Sequence, residues 1–176
     1  AGTAIASEEH IDKIFQLAKN FGGNLSDFTV WMLERSLKTM GLRVRAQNEN
    51  ALELARFLEK HEDISRVFYP GLESHPDHEL AKSQMKGFGG MMSFELRDGF
   101  DFDIFQKKLK LIKSSMSLAG VEPTILSPSK TSHGLLSPEE REAQGIKDGL
   151  MRFSVGIEEK EDLMEDLEQA LKEIRG

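Results

Sequence analysis

Cysteine is absent from all 176 residues. Its absence removes a disulfide-stapled scaffold and a thiolate zinc site at once, and it permits a reducing compartment. Long apolar runs are missing as well. No stretch approaches the roughly 20 apolar residues a bilayer-spanning helix requires, and the first residues lack the basic-then-apolar pattern of a leader. The expected location is the cytoplasm, with no membrane partner. Positive charge is in deficit: 23 Lys and Arg against 30 Asp and Glu leave a net charge of −7, with an isoelectric point near 5.3. That balance argues against nucleic acid or an anionic membrane as the main partner. The local cluster of Lys107, Lys108, Lys110 and Lys113 reads as a solvated helix face. No internal repeat and no low-complexity linker interrupts the chain.

What is present is a chain with 39% apolar residues, enough for one ordinary domain, or for one domain plus a piece of another. It opens with "AGTAIAS", small and apolar with neither cap nor turn before it. This predicts a start inside a strand, and hence a fragment. Ser7 can cap a helix running to about Asn20, with Ile11, Ile14, Phe15 and Ala18 on one face and "FGG" ending it. Ser26 precedes a long helical pattern from Asp27 toward Lys60, with its bend expected at Gly41.

Beyond His61 the pattern alternates in short pieces. "ISRVFYP" (64–70) reads as a strand and "PDHELAKSQM" as a helix. "GMMSFELRDG" reads as a second strand with Met92, Phe94 and Leu96 on one face, "DFDIFQKKLK" as a helix and "LIKSSMS" as a third strand. Ser137, Pro138 and Glu140 form a capping box with proline at the first helical position. The last helix is amphipathic through Leu163, Leu167, Ala170, Leu171 and Ile174. The expected unit is a compact α/β arrangement from about Arg45 to the end, with helices on the face carrying Met151, Phe153 and Val155.

The strand "GLMRFSVGIE" poses the chemical question. Met151, Phe153, Val155 and Ile157 share one face; Leu150, Arg152, Ser154 and Gly156 share the other. Pattern alone leaves Arg152 open between a cleft wall and a solvated face. Other motifs reduce to structure. His75, His78 and Glu79 lie at a helix start with no third metal ligand placed by spacing. "SPSK" (127–130) matches S-x-x-K but lacks the accompanying S-D-N and K-T-G. "GFGG" lacks the lysine and hydroxyl of a phosphate loop and reads as a turn. The eight methionines are dispersed as core filler.

Taken in order, "WMLERSLKTMGLRV", "VFYPGLESHPDHELAKSQMKGFGGMMSFEL", "SLAGVEPTILSPSKTSH" and "GIKDGLMRFSVGIEEKEDLMEDLEQAL" resemble the Cys/Met metabolism (trans-sulfuration) family of pyridoxal-phosphate enzymes over the whole length. The resemblance implies the C-terminal small domain of a type I pyridoxal-phosphate transferase over residues 45–176. That domain is a short, mainly antiparallel sheet with helices on one face. Residues 1–44 would be the tail of the large cofactor-binding domain with the start of the interdomain helix. Arg152, in the family's "R-x-S-x-G-[IL]-E" strand, is implied to grip the substrate α-carboxylate, a task suited to a guanidinium with two parallel donors. Ser117, opening the "S-L-G-G" loop, would contact the same carboxylate, and Met116 before it would face the distal end of the substrate. In relatives that handle cystathionine well, a glutamate commonly stands at that place. Thr131 lies in a stretch that resembles the family's "T-H" lid, with His133 beside it as a structural residue. Ala119 replaces the first glycine of "S-L-G-G", and Pro123 stands where serine is usual.

The same resemblance implies pyridoxal 5'-phosphate as cofactor, bound mainly by an N-terminal part outside this chain, where the family's lysine would sit. It also implies a sulfur-containing amino-acid substrate and a homotetramer for the complete enzyme. Catalytic, cofactor-contacting and metal-ligating residues are expected to be absent from the chain itself. The alternative class is a stand-alone amino-acid-binding or regulatory module without catalysis.

Overall fold

The computed structural model describes residues 2–175 and separates into two compact units, one up to Leu42 and one from Arg43 onward. In the first unit, residues 2–7 hold no regular structure, which corrects the expected opening strand. A strand needs a partner ladder, and no described strand pairs with this stretch. Helix α1 spans Glu8–Phe21 and ends on Gly22, whose N–H donates to the Ala18 carbonyl; Ser7 stands at the cap position, but its hydroxyl pairs with His10 Nδ1 at 2.7 Å and makes no cap bond. Helix α2 spans Asp27–Leu37, with the Ser26 hydroxyl accepting from the Thr29 N–H. The single long helix expected from periodicity is interrupted at Lys38 and Thr39, ahead of Gly41, and α3 runs Met40–Lys60. Ser36 contributes to the break, because its hydroxyl donates back to the Met32 carbonyl at 2.7 Å, a bond that bends helices.

The second unit is built on five strands: β1 Ile64–Phe68, β2 Met91–Leu96, β3 Lys113–Ser114, β4 Thr124–Leu126 and β5 Leu150–Ser154. They are ordered β1-β2-β5-β4-β3. Every pairing is antiparallel except β3 with β4. Helices α4 His78–Gln84, α5 Phe102–Lys108, α6 Pro138–Ala143 and α7 Lys160–Ile174 complete the unit. The stretch expected as a third strand over 111–117 contributes only the two residues of β3, and β4 was not anticipated. The register of β1 shifts between Ile64 and Arg66. The capping box at α6 forms as the sequence predicts, with Ser137 and Glu140 each bonded to the other's backbone.

Burial follows the alternation. Met92, Phe94, Leu96, Ile125, Met151 and Phe153 point to one side of the sheet, where they pack in a single cluster with Leu54 and Leu58 of α3, Phe105 of α5, and Leu163, Leu167 and Leu171 of α7. Phe94 and Phe105 meet edge to face with centroids 6.5 Å apart. This is the α/β arrangement expected, with helices on one face. Register then places Phe68, Ser93, Arg152 and Leu126 in one row across four strands on the opposite face. Arg152 therefore stands on the central strand, on the face of the sheet opposite that cluster, the position from which a site can be built.

Candidate functional site

Arg152 is half-buried, and one end of its guanidinium is fixed by the chain segment before β4. Its Nη2 donates to the Met116 carbonyl at 2.9 Å and to the Ser117 carbonyl at 3.1 Å. Its Nε is buried and has no partner. An unpaired buried donor costs about 1–3 kcal/mol, so this nitrogen is a position where an acceptor is favoured. The guanidinium is thus partly engaged by the loop and not wholly turned to solvent. The structure brings Arg152, Met116 and Ser117 together. Met116 is 65% exposed as a residue while its carbonyl is held.

The loop from Ser115 to Val121 is tethered at successive points. The Ser117 N–H donates to the Ser115 hydroxyl at 3.1 Å, and the Ser117 carbonyl also accepts from the Thr124 hydroxyl at 2.8 Å. The Ala119 N–H donates to the Ser154 hydroxyl at 2.9 Å. The Val121 carbonyl accepts from the Ile157 N–H at 3.0 Å. Ser154 was legible as a residue on the Arg152 face, but nothing in the sequence marked its hydroxyl as a loop anchor. Gly156 explains itself by contact: a Cβ there would lie 2.7 Å from both the Pro123 nitrogen and the Val121 carbonyl oxygen. Pro123 brings no N–H to this close approach, so the crowding strands no donor.

Ala119, the departure from the family's glycine, has φ +57°. An L-residue in the left-handed region carries roughly 1–2 kcal/mol of steric cost that glycine avoids. Ala119→Gly is expected to raise the stability of the chain by about 1 kcal/mol, part of the relief being lost to the freer unfolded chain. Urea denaturation of the two proteins checks it, and an equal or lower midpoint for the glycine variant would contradict the strain.

The remaining candidates are placed elsewhere. Thr131 follows a short 3-10 turn (Pro128–Lys130), and its hydroxyl donates to the Ser127 carbonyl at 2.7 Å. Among the described residues no hydrogen bond joins Thr131 to Arg152. His133 Nδ1 pairs with the Ser132 hydroxyl at 2.8 Å. His78 Nδ1 bonds the Pro70 carbonyl at 2.8 Å with its ring stacked on Phe88, while His75 accepts from the Asp77 N–H at 3.1 Å. The two histidines thus serve local backbone, and no group of three or more potential ligands converges among the described residues. Lys130 is tied to Asp103 at 2.6 Å.

The pattern of the family described as "Cys/Met metabolism PLP-dependent enzyme" matches residues 1–172. The chain belongs to this family. It is 44% identical over 169 residues to cystathionine gamma-lyase of Bacillus subtilis, across 96% of this chain and 45% of that protein. It is also 44% identical over 177 residues to L-methionine gamma-lyase of Fusobacterium nucleatum subsp. polymorphum, across 99% of this chain and 45% of that protein. Its fold superposes on the crystal structure of cystathionine gamma-lyase from Lactobacillus plantarum complexed with L-serine with a TM-score of 0.92 at 36% identity. That match covers 98% of this chain and 45% of the other. The chain therefore spans somewhat under half the length of the relatives it matches.

The family's cofactor is pyridoxal phosphate. Within this chain, the unpartnered Nε of Arg152 fits a carboxylate. A guanidinium placed in this way suits an anionic group such as a carboxylate. No described residue of this set is assigned to the ring or phosphate of the cofactor.

Proposed function

We propose that residues 1–176 form the substrate-carboxylate end of a pyridoxal-phosphate-dependent enzyme of sulfur amino-acid metabolism, which makes or breaks carbon–sulfur bonds at the γ-carbon of methionine or an O-acylhomoserine. One observation carries the reading: Arg152 spends Nη2 on the loop carbonyls of Met116 and Ser117 and keeps Nε buried with no protein partner. In this reading residues 1–44 belong to the large domain and 45–176 form the small one, in a homotetramer. The lysine that holds the cofactor belongs to a preceding segment, so the chain by itself is inactive.

Pyridoxal phosphate supplies an electron sink when bound. This chain's own residues do the positioning. Arg152 takes the α-carboxylate through the part of its guanidinium that the loop carbonyls leave unpaired. Because Nη2 is already committed, the guanidinium plane is set before the substrate arrives, and the ordering cost is met in the free protein. Ser117 lies beside the same position through its main chain. Thr131 is read as part of a lid over the substrate, Ser154 as the post that holds the loop by the Ala119 N–H.

Met116 sets the test. Its thioether is apolar and polarizable, matched to a methyl sulfide or acyl ester, whereas cystathionine brings a second ammonium that an uncharged wall would have to desolvate. The full-length protein is expected to use methionine or O-acetylhomoserine with a higher kcat/KM than cystathionine, and Met116→Glu to narrow the gap. Measured release of the 2-oxo acid decides it, accompanied by methanethiol from methionine, cysteine from cystathionine and acetate from O-acetylhomoserine. A wild-type preference for cystathionine would remove Met116 as the specificity determinant, and no turnover of any of them would remove the reaction class.

A further inference from the structure

The carboxylate site is assembled from two pieces of chain distant in sequence, the loop that carries Met116 and Ser117 and the strand that carries Arg152. Helix α3 reaches both. Gln47 Nε2 donates to the Gly120 carbonyl at 2.7 Å and to the Val155 carbonyl at 3.2 Å. One carboxamide nitrogen has two N–H groups, and here each has its own acceptor, one on the loop and one three residues past Arg152. The amide orientation follows from chemistry, since the reversed group would set its oxygen against two carbonyl oxygens.

The stem of Gln47 is also held. A Cβ on Gly90 would lie 2.9 Å from the Gln47 Cβ, so the backbone there packs close against the side chain, and the same Gly90 carbonyl accepts from the Val155 N–H at 2.8 Å. One turn further along α3, Asn50 donates to the Gly156 carbonyl at 3.2 Å and to the Glu158 carbonyl at 2.7 Å. Asn50 grips only the chain that leaves the strand; Gln47 joins that chain to the loop.

We propose that Gln47 is a positioning residue for the substrate carboxylate, setting the spacing between the loop at Gly120 and the strand at Val155 so that the Met116 and Ser117 carbonyls meet Arg152 with its Nε turned to the ligand. The inference rests on the reading of Arg152 as the carboxylate anchor. Its chemistry is restrictive. Glutamate at this position presents a carboxylate to two carbonyl oxygens and opens the spacing. Methionine keeps the length and removes both donors.

The test uses the full-length protein and two inhibitors that differ only in the acid group, L-norleucine and pentylamine. Gln47→Glu is expected to raise the inhibition constant of L-norleucine about tenfold while leaving that of pentylamine within twofold. Parallel loss for both inhibitors, or no loss for norleucine, overturns the proposal. Gln47→Met repeats the comparison if the glutamate variant does not accumulate, and failure of both to fold assigns Gln47 to the fold and likewise overturns it. Arg152→Lys serves as the reference. If that variant loses the norleucine preference and the Gln47 variants keep it, the positioning role alone fails. If Arg152→Lys keeps it as well, the carboxylate reading of the site fails.

Discussion

Arg152→Lys in the full-length protein is expected to lower kcat/KM for the amino-acid substrate by about 1.5–3 kcal/mol of transition-state free energy, roughly 10- to 150-fold. Lysine preserves the charge but offers a single nitrogen where the guanidinium divides its labour. Nη2 holds the carbonyls of Met116 and Ser117, while the rest of the group has no protein partner among the described residues and, in the proposed reading, meets the carboxylate. An ammonium group that goes to the loop carbonyls leaves the substrate, and one that goes to the substrate releases the loop. The loss should therefore appear in both kcat and KM, since orientation as well as binding is affected. Steady-state kinetics on the purified variant, with its thermal stability measured alongside, checks this. A kcat/KM within twofold of wild type would return Arg152 to a structural role on the sheet.

A second large effect is expected at a residue with no part in ligand binding. Asp166 lies on α7 at 5% exposure, and its carboxylate caps the chain between α5 and β3. Oδ1 accepts from the Lys110 N–H at 2.8 Å, and Oδ2 accepts from the Leu111 and Ile112 N–H groups at 2.9 and 2.8 Å. Gln169 Nε2 adds a fourth donor at 3.1 Å. Three successive backbone N–H groups converging on one carboxylate make a nest that no neutral small residue can satisfy. Asp166→Ala is expected to destabilise the chain by about 3–4 kcal/mol, since one of these donors is fully buried and the others are partly so. Asp166→Asn should fall between, because it keeps one acceptor oxygen and places an amide donor against a donor. Guanidinium unfolding gives the ordering, and an alanine variant within 1 kcal/mol of wild type would show that water replaces the carboxylate.

These two residues also mark what could be read from sequence and what could not. Arg152 was visible because it broke an apolar strand, and the strands β2 and β5 declare themselves by alternation with burial on one side. The capping box at α6 is a four-residue local signal and needed no tertiary information. Asp166 carried no such mark. A single acid in an acidic amphipathic helix looks solvated until the loop after α5 folds onto it. Strand β4 was missed because its three residues are buried on both faces and flanked by Pro123 and Pro128, which leaves no alternation to read. The break between α2 and α3 was misplaced because apolar periodicity runs through it unbroken, while the local feature beside it is a hydroxyl back-bond from Ser36 to Met32. At the site, the neighbourhood of Arg152, Met116 and Ser117 follows from the family pattern. Its tethers do not, because Ser154 and Gln47 act through backbone groups that any sequence would supply.

The two ends of the sheet bear on how copies of this chain can meet. An edge strand is a template on which another chain can extend the ladder. On one side the outermost strand, β3, has only two residues, one of them a lysine. On the other, β1 slips register between Ile64 and Arg66 and runs out at Tyr69 and Pro70, where the ladder loses a donor. Neither border presents a straight row of open amides. Both borders therefore disfavour edge-to-edge extension of the sheet.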